Sequence, residues 1–161
     1  MKRVLMALGA STLLLGGTLG ISRQASAAHS TAAMKPALQL IAPNGPVTVR
    51  PNGKITIDVA ATGFTFAPMS VGKAAMAGMG HGHFYVDRMP AGGYTSAAVA
   101  ANPRNGWAGA FTSNMAVFDL TAARKLGINL SPGQHLLIIA LAKNNHVLYR
   151  TPAAVIPFVV R

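Results

Sequence analysis

The chain has 161 residues and a formal net charge of +11, from 14 Lys and Arg set against 3 acidic residues, and it has no cysteine. Without cysteine there is no disulfide, no thiolate metal site and no ordinary blue-copper centre, which needs a thiolate ligand. Its acidic residues are the dispersed Asp58, Asp87 and Asp119, too few for paired-carboxylate catalysis, and beyond residues 1–27 its cations stand singly apart from Arg124-Lys125, which argues against nucleic-acid binding.

Residues 1–27 read as an export signal. Lys2 and Arg3 form a positive start, Val4 to Ile21 an apolar stretch, and Ala25-Ser26-Ala27 a small-residue cleavage site. A membrane anchor is the competing reading, because the apolar stretch approaches the roughly 20 residues that a spanning helix needs. Gly9, Gly16, Gly17 and Gly20 weaken such a helix. The expected mature protein is periplasmic or secreted, without a membrane span. A chain so poor in carboxylates has few native carboxylate interactions to lose as pH falls, which suits acidic surroundings.

Residues 28–37 are small, polar and aperiodic, and read as a flexible lead-in to a domain over 38–161. Leu38 to Ala42 and Val47 to Arg50 are short strands separated by the turn Pro43-Asn44-Gly45-Pro46. Lys54 to Ala60 is the clearest half-buried strand, with Ile55, Ile57 and Val59 on one side. Phe64 and Phe66 continue the period of two. Met69 to Met79 reads as a Gly-, Ala- and Met-rich loop, and Gly82 to Val86 as a strand.

Residues 89–106 are dominated by small residues and breakers, so irregular structure is expected there. Trp107 to Phe111 and Met115 to Leu120 read as strands, and Thr121 to Leu126 as a helical turn capped by Asp119. Gln134 to Ala142 is nearly continuously apolar, as a central strand covered on both faces should be. Val155 to Val160 closes the chain, with Pro157 placing it near an edge or bulge. About seven short strands with frequent turns predict an all-β, antiparallel, immunoglobulin-like sandwich.

The order of landmarks, GHGHFYVD at 80–87, then LSPGQHLLIIALAKNNH at 130–146, then a closing strand, resembles a group of small secreted bacterial proteins with an immunoglobulin-like β-sandwich. Their pattern is close to GHxHxYVD, PGxH and NNH, and the resemblance spans roughly residues 38–160. It implies the fold and names no activity. The chain matches at His81, His83, Asp87, His135 and His146, and departs from the pattern in its Met-rich 69–79 segment.

His81 and His83 stand two residues apart, so an extended chain projects both imidazoles to one side. With His146 or His135 from a neighbouring strand they would form a three-nitrogen metal site. Met76, Met79 or Met89 would add a soft thioether that favours copper, and Asp87 would orient a ligand histidine. Cleavage after Ala28 would also expose His29 as a chelating amino terminus. The same histidines serve a metal-free reading, in which they close turns at strand ends and the methionines fill gaps. No nucleophile elbow or phosphate-binding glycine loop is present. The expected function is therefore non-catalytic: a copper-binding protein, or alternatively a structural module that binds a protein partner of the cell envelope.

Overall fold

The inward positions of Lys54–Thr62 set the pattern of the whole domain: Ile55, Ile57 and Val59 are 2%, 0% and 1% exposed, while Lys54 and Thr56 between them face water. A computed structural model describes residues 34–91, 95–150 and 153–161. The expected export signal, His29, most of the lead-in, Gly92-Gly93 and Tyr94 lie outside the described residues.

The strands among the described residues are β1 (Ala37–Ala42), β2 (Val47–Val49), β3 (Lys54–Thr62), β4 (Thr65–Phe66), β5 (Met79–Val86), β6 (Trp107–Phe111), β7 (Met115–Asp119), β8 (Gly133–Lys143) and β9 (Ala154–Val160). Two short helices accompany them, α1 (Ala97–Ala100) and α2 (Leu120–Lys125). Asp119 caps α2 as expected, accepting from the Thr121 and Ala122 amides at 2.8 and 3.0 Å. None of the described helices is long and apolar enough to cross a membrane.

One sheet runs β1-β3-β7, and the other β2-β9-β8-β5, with β4 and β6 sharing the far edge of β5. All pairings are antiparallel except β2 with β9 and β4 with β5. This is the order of an immunoglobulin-like sandwich, with β1, β3 and β7 in the places of strands A, B and E and β5, β8 and β9 in those of C, F and G. The nine strands among the described residues exceed the expected seven, and two of them, β2 and β4, are edge pieces of three and two residues. Pro157 sits on the part of β9 that β2 leaves uncovered, since β2 pairs only with Phe158 to Val160.

The main core lies between the sheets. Ile57 and Phe118 from one meet Phe84, Leu137, Ile139 and Phe158 from the other, and the Phe84 and Phe111 rings stack at 4.7 Å. A second, smaller core lies on the outer face of the larger sheet. There Tyr85, Ala140 and Ala142 are covered by Ala100 and Leu148, with Met89 and Trp107 packed around them. Segment 95–106 and the β8–β9 connection thus roof part of a face that a simple sandwich leaves to solvent. The roof also explains β8: both of its faces are buried at 139–142, while the stretch from Gly133 to Leu137 still alternates.

Residues 95–106 are more regular than their composition predicts, holding α1 and a 3-10 turn at Pro103–Asn105. Helix α1 has no side-chain cap and no charged residue, and what fixes it is burial of Ala100 on Tyr85.

The glycines of the GHGH stretch have a packing role. Gly82 pairs with Phe111 on the core side of β5, and a methyl group there would come within 2.0 Å of the ring's Cζ. Gly82→Ala is expected to destabilise the domain by about 1–3 kcal/mol through overpacking. Urea unfolding checks this, and an unchanged midpoint would contradict it.

Candidate metal centre

Strand parity divides β5 cleanly. Phe84 and Val86 enter the main core, so His81, His83 and Tyr85 stand on the opposite, roofed face. Both histidines lie within the strand and are 0% exposed, not at strand ends as the metal-free reading had them. Their partners on β8 are Ala142 and Ala140, whose small side chains leave space above the sheet for a third ring.

That ring is His146. The β8 strand turns through Asn144 and Asn145, with Lys143 and Val147 paired by a 2.8 Å hydrogen bond from the Lys143 amide. His146 takes the last loop position with φ 65°, the left-handed conformation that a three-residue hairpin loop usually gives to glycine. The turn folds the imidazole back over β5. His146 Nδ1 lies 3.1 Å from His81 Nε2 and 3.2 Å from His83 Nε2, and the two Nε2 atoms are 2.9 Å apart.

Three nitrogens thus form a nearly equilateral triangle. A point about 2 Å from each, the usual metal–imidazole distance, lies about 1 Å above the plane of the triangle. That is the geometry of a three-histidine site with a fourth position open. No carboxylate joins the cluster among the described residues.

The protonation states suit ligation, which requires neutral imidazoles. Burial, and then the neighbouring His146, hold His81 down to about 4. Burial, followed by His81 and His146, holds His83 down to about 2, and burial also lowers His146. His83 has a further partner: its Nδ1 lies 3.0 Å from the Tyr85 hydroxyl, which donates to the Ala100 carbonyl at 2.5 Å. Among the described residues, the buried side-chain atoms without a hydrogen-bond partner are His81 Nδ1, Trp107 Nε1 and Asn144 Oδ1. All three belong to residues at or beside the cluster: the Trp107 ring is 6.1 Å from that of His83, and Asn144 precedes His146 in the same turn.

The other expected site residues are placed differently. His135 is not with the cluster. Its Nδ1 bonds the Asp87 carboxylate at 2.8 Å and its Nε2 the Ser131 carbonyl oxygen at 2.9 Å, so neither nitrogen is left for a shared ion. Burial alone would lower its pKa, but the Ser131 carbonyl and the Asp87 carboxylate outweigh burial and the repulsion from Arg124, and the net shift is upward. Asp87 accordingly orients no ligand of the cluster. It holds His135 and the Leu136 amide from a strained position with φ 60°.

Met79 shares the roofed face of β5, one strand step from His81, and is partly buried. Met76 is 51% exposed in the preceding loop, and Met89 packs into the second core. The 68–78 segment docks on the turn that carries His146, through the Gly72 amide to the Asn144 carbonyl at 2.6 Å. Tyr149 adds a contact, donating its hydroxyl towards the Met76 and Met79 carbonyls at 3.3 and 3.1 Å. Sequence reasoning missed Tyr85 and the alanines opposite the histidines; the alternation of His81, His83 and Tyr85 was the available signal for the first.

No family model matches the chain, and no curated protein matches it. Among solved structures it is similar to the fibronectin(III)-like modules of CbhA from Clostridium thermocellum, at 15% identity and a TM-score of 0.42. The match covers 79% of this chain and 47% of that one, so the chain spans about half of its length.

Proposed function

We propose that this is an exported, non-catalytic protein that binds one transition-metal ion, copper, through His81 Nε2, His83 Nε2 and His146 Nδ1. The observation that carries the reading is the triangle of three neutral nitrogens 2.9–3.2 Å apart, two of them on fully buried rings. His146 is partly exposed and gives an ion a way in. Export is supported by residues 1–27. A carrier role is supported by the surroundings, because the aspartates lie elsewhere: Asp58 is in β3, Asp87 holds His135 and Asp119 caps α2. No carboxylate is then at hand as a general base.

Three imidazoles alone accept zinc and copper alike. Met79 on the same strand face supplies a soft donor, which favours the cuprous ion. One observation favours a metal-free alternative, a structural or partner-binding module. With Nδ1 bare, His81 would donate from Nε2 to His83, and the orphaned Nδ1 would then be an acceptor, which is less costly to bury than an orphaned N–H.

Calorimetric titration with Cu(II), then with Cu(I) under reductant, separates the two readings. The expected result is one-to-one binding in the wild type that is lost in His81→Ala/His83→Ala. Equal, weak binding in both proteins would make the histidines structural. Met79→Ala is expected to weaken Cu(I) more than Zn(II).

A further inference from the structure

Tyr85 is fully buried under the roof, with its hydroxyl between the Ala100 carbonyl and His83 Nδ1. A phenol carries one proton. Ala100 ends α1, and a four-residue helix leaves its last carbonyls without helical partners. A carbonyl only accepts, so the Tyr85 proton goes to Ala100, and the phenolic oxygen presents lone pairs to His83 Nδ1. That nitrogen must then be the donor. In a neutral imidazole the other nitrogen is bare, and here the other nitrogen is Nε2, at a corner of the triangle.

We infer that Tyr85, held by the Ala100 carbonyl, is a positioning residue that selects the Nδ1–H tautomer of His83 and so keeps Nε2 free to accept an ion. Free histidine prefers its proton on Nε2, so the selection works against the intrinsic preference. His81 has no such partner: its buried Nδ1 meets no donor or acceptor among the described residues. His83 is therefore the ligand set in advance, while His81 adapts its tautomer to what occupies the triangle. This hydroxyl links segment 95–106 to the metal centre. The effect on affinity rests on the metal reading; the effect on the tautomer does not.

Long-range proton–nitrogen correlation spectra of the purified, nitrogen-15-labelled, metal-free protein test the tautomer directly. The expected spectrum shows His83 Nδ1 protonated and Nε2 bare in the wild type and in Tyr149→Phe, whose hydroxyl serves the 76–79 backbone instead. Tyr85→Phe is expected to mix or invert the His83 pattern. Competition for Cu(I) against a chromophoric chelator should then show Tyr85→Phe weaker by about 10–100-fold, as for other residues that orient a metal-bound histidine. A wild-type His83 with its proton on Nε2 would overturn the inference without any variant. So would a Tyr85→Phe protein with an unchanged tautomer. If the wild type binds no copper, the proposed function fails, and the spectra still decide the role of Tyr85.

Discussion

His146→Gly is expected to lower copper affinity by at least about 100-fold while leaving the metal-free protein as stable as the wild type, or slightly more so. The affinity loss follows from removing one of three nitrogens, and it should exceed the 10–100-fold effect of residues that merely orient a ligand. The stability effect follows from the backbone. A non-glycine residue at φ 65° costs about 1–2 kcal/mol, from which glycine's greater freedom in the unfolded chain takes back about 0.5–1 kcal/mol. A net gain of up to about 1.5 kcal/mol remains, set against the lost ring contacts with His81 and His83. His146→Ala keeps the strain and loses the ring, so it should unfold at a lower temperature than the glycine variant. Thermal unfolding without metal, alongside Cu(I) competition, reads both quantities. A glycine variant several degrees less stable than the wild type would mean that the ring is there for packing, and the metal centre would lose its main support.

Part of this site is readable from spacing and part is not, and the division has a physical cause. His81 and His83 share a face in any extended chain, because side-chain direction repeats every two residues. Which face they share is hidden, since β5 is buried on both: Phe84 and Val86 on one side, Tyr85 on the other. His146 and His135 look alike as third ligands until the register is known. Pairing of His81 with Ala142 and His83 with Ala140 puts even-numbered residues of β8 on the triad's face. His135 is odd-numbered and stacks on Phe158 in the main core, so register excludes it. Register is set by the whole sheet and not by any local stretch.

The fold was more legible than the site for the same reason. Period-two runs such as Lys54–Thr62, and the breakers between runs, are local signals, and they locate β3, β6, β7, β8 and β9 to within a residue or two. The roof is not local. Helix α1 exists because Ala100 meets Tyr85 across fifteen positions of sequence, and its N-cap residue Ser96 makes no side-chain cap. A stretch of Ala, Ser and Gly has no pattern of its own to read.

Acid is expected to unfold the metal-free protein, although its poverty in carboxylates predicts acid tolerance. An unfolded histidine takes up a proton near pH 6.5, whereas folded His81 does so only near 4 and folded His83 only near 2. Between pH 6.5 and 4 the unfolded chain therefore binds protons that the folded one refuses, and stability falls as pH falls. Above 6.5 both states are neutral, and the contribution is fully present. His81 alone, at about 1.4 kcal/mol per pH unit, accounts for about 3 kcal/mol across this window, a large share of the roughly 5–15 kcal/mol of a typical domain. His135 does not offset it. Its raised pKa gives a stabilisation complete below 6.5 and lost only as pH rises through the folded value. Asp119, lowered from 3.8 mainly by the Ala122 amide, loses its contribution only below the window. Urea unfolding at pH 7, 5.5 and 4.5 should show a steadily falling midpoint, and His83→Leu should flatten the slope by about one proton's worth. Copper should raise the midpoint by mass action at pH 7 and still at pH 4.5, where folded His81 and His83 remain largely neutral while the unfolded histidines are protonated. A wild-type midpoint independent of pH from 7 to 4.5 would show that the two rings take protons as freely folded as unfolded, which burial at the centre of the roofed face does not permit.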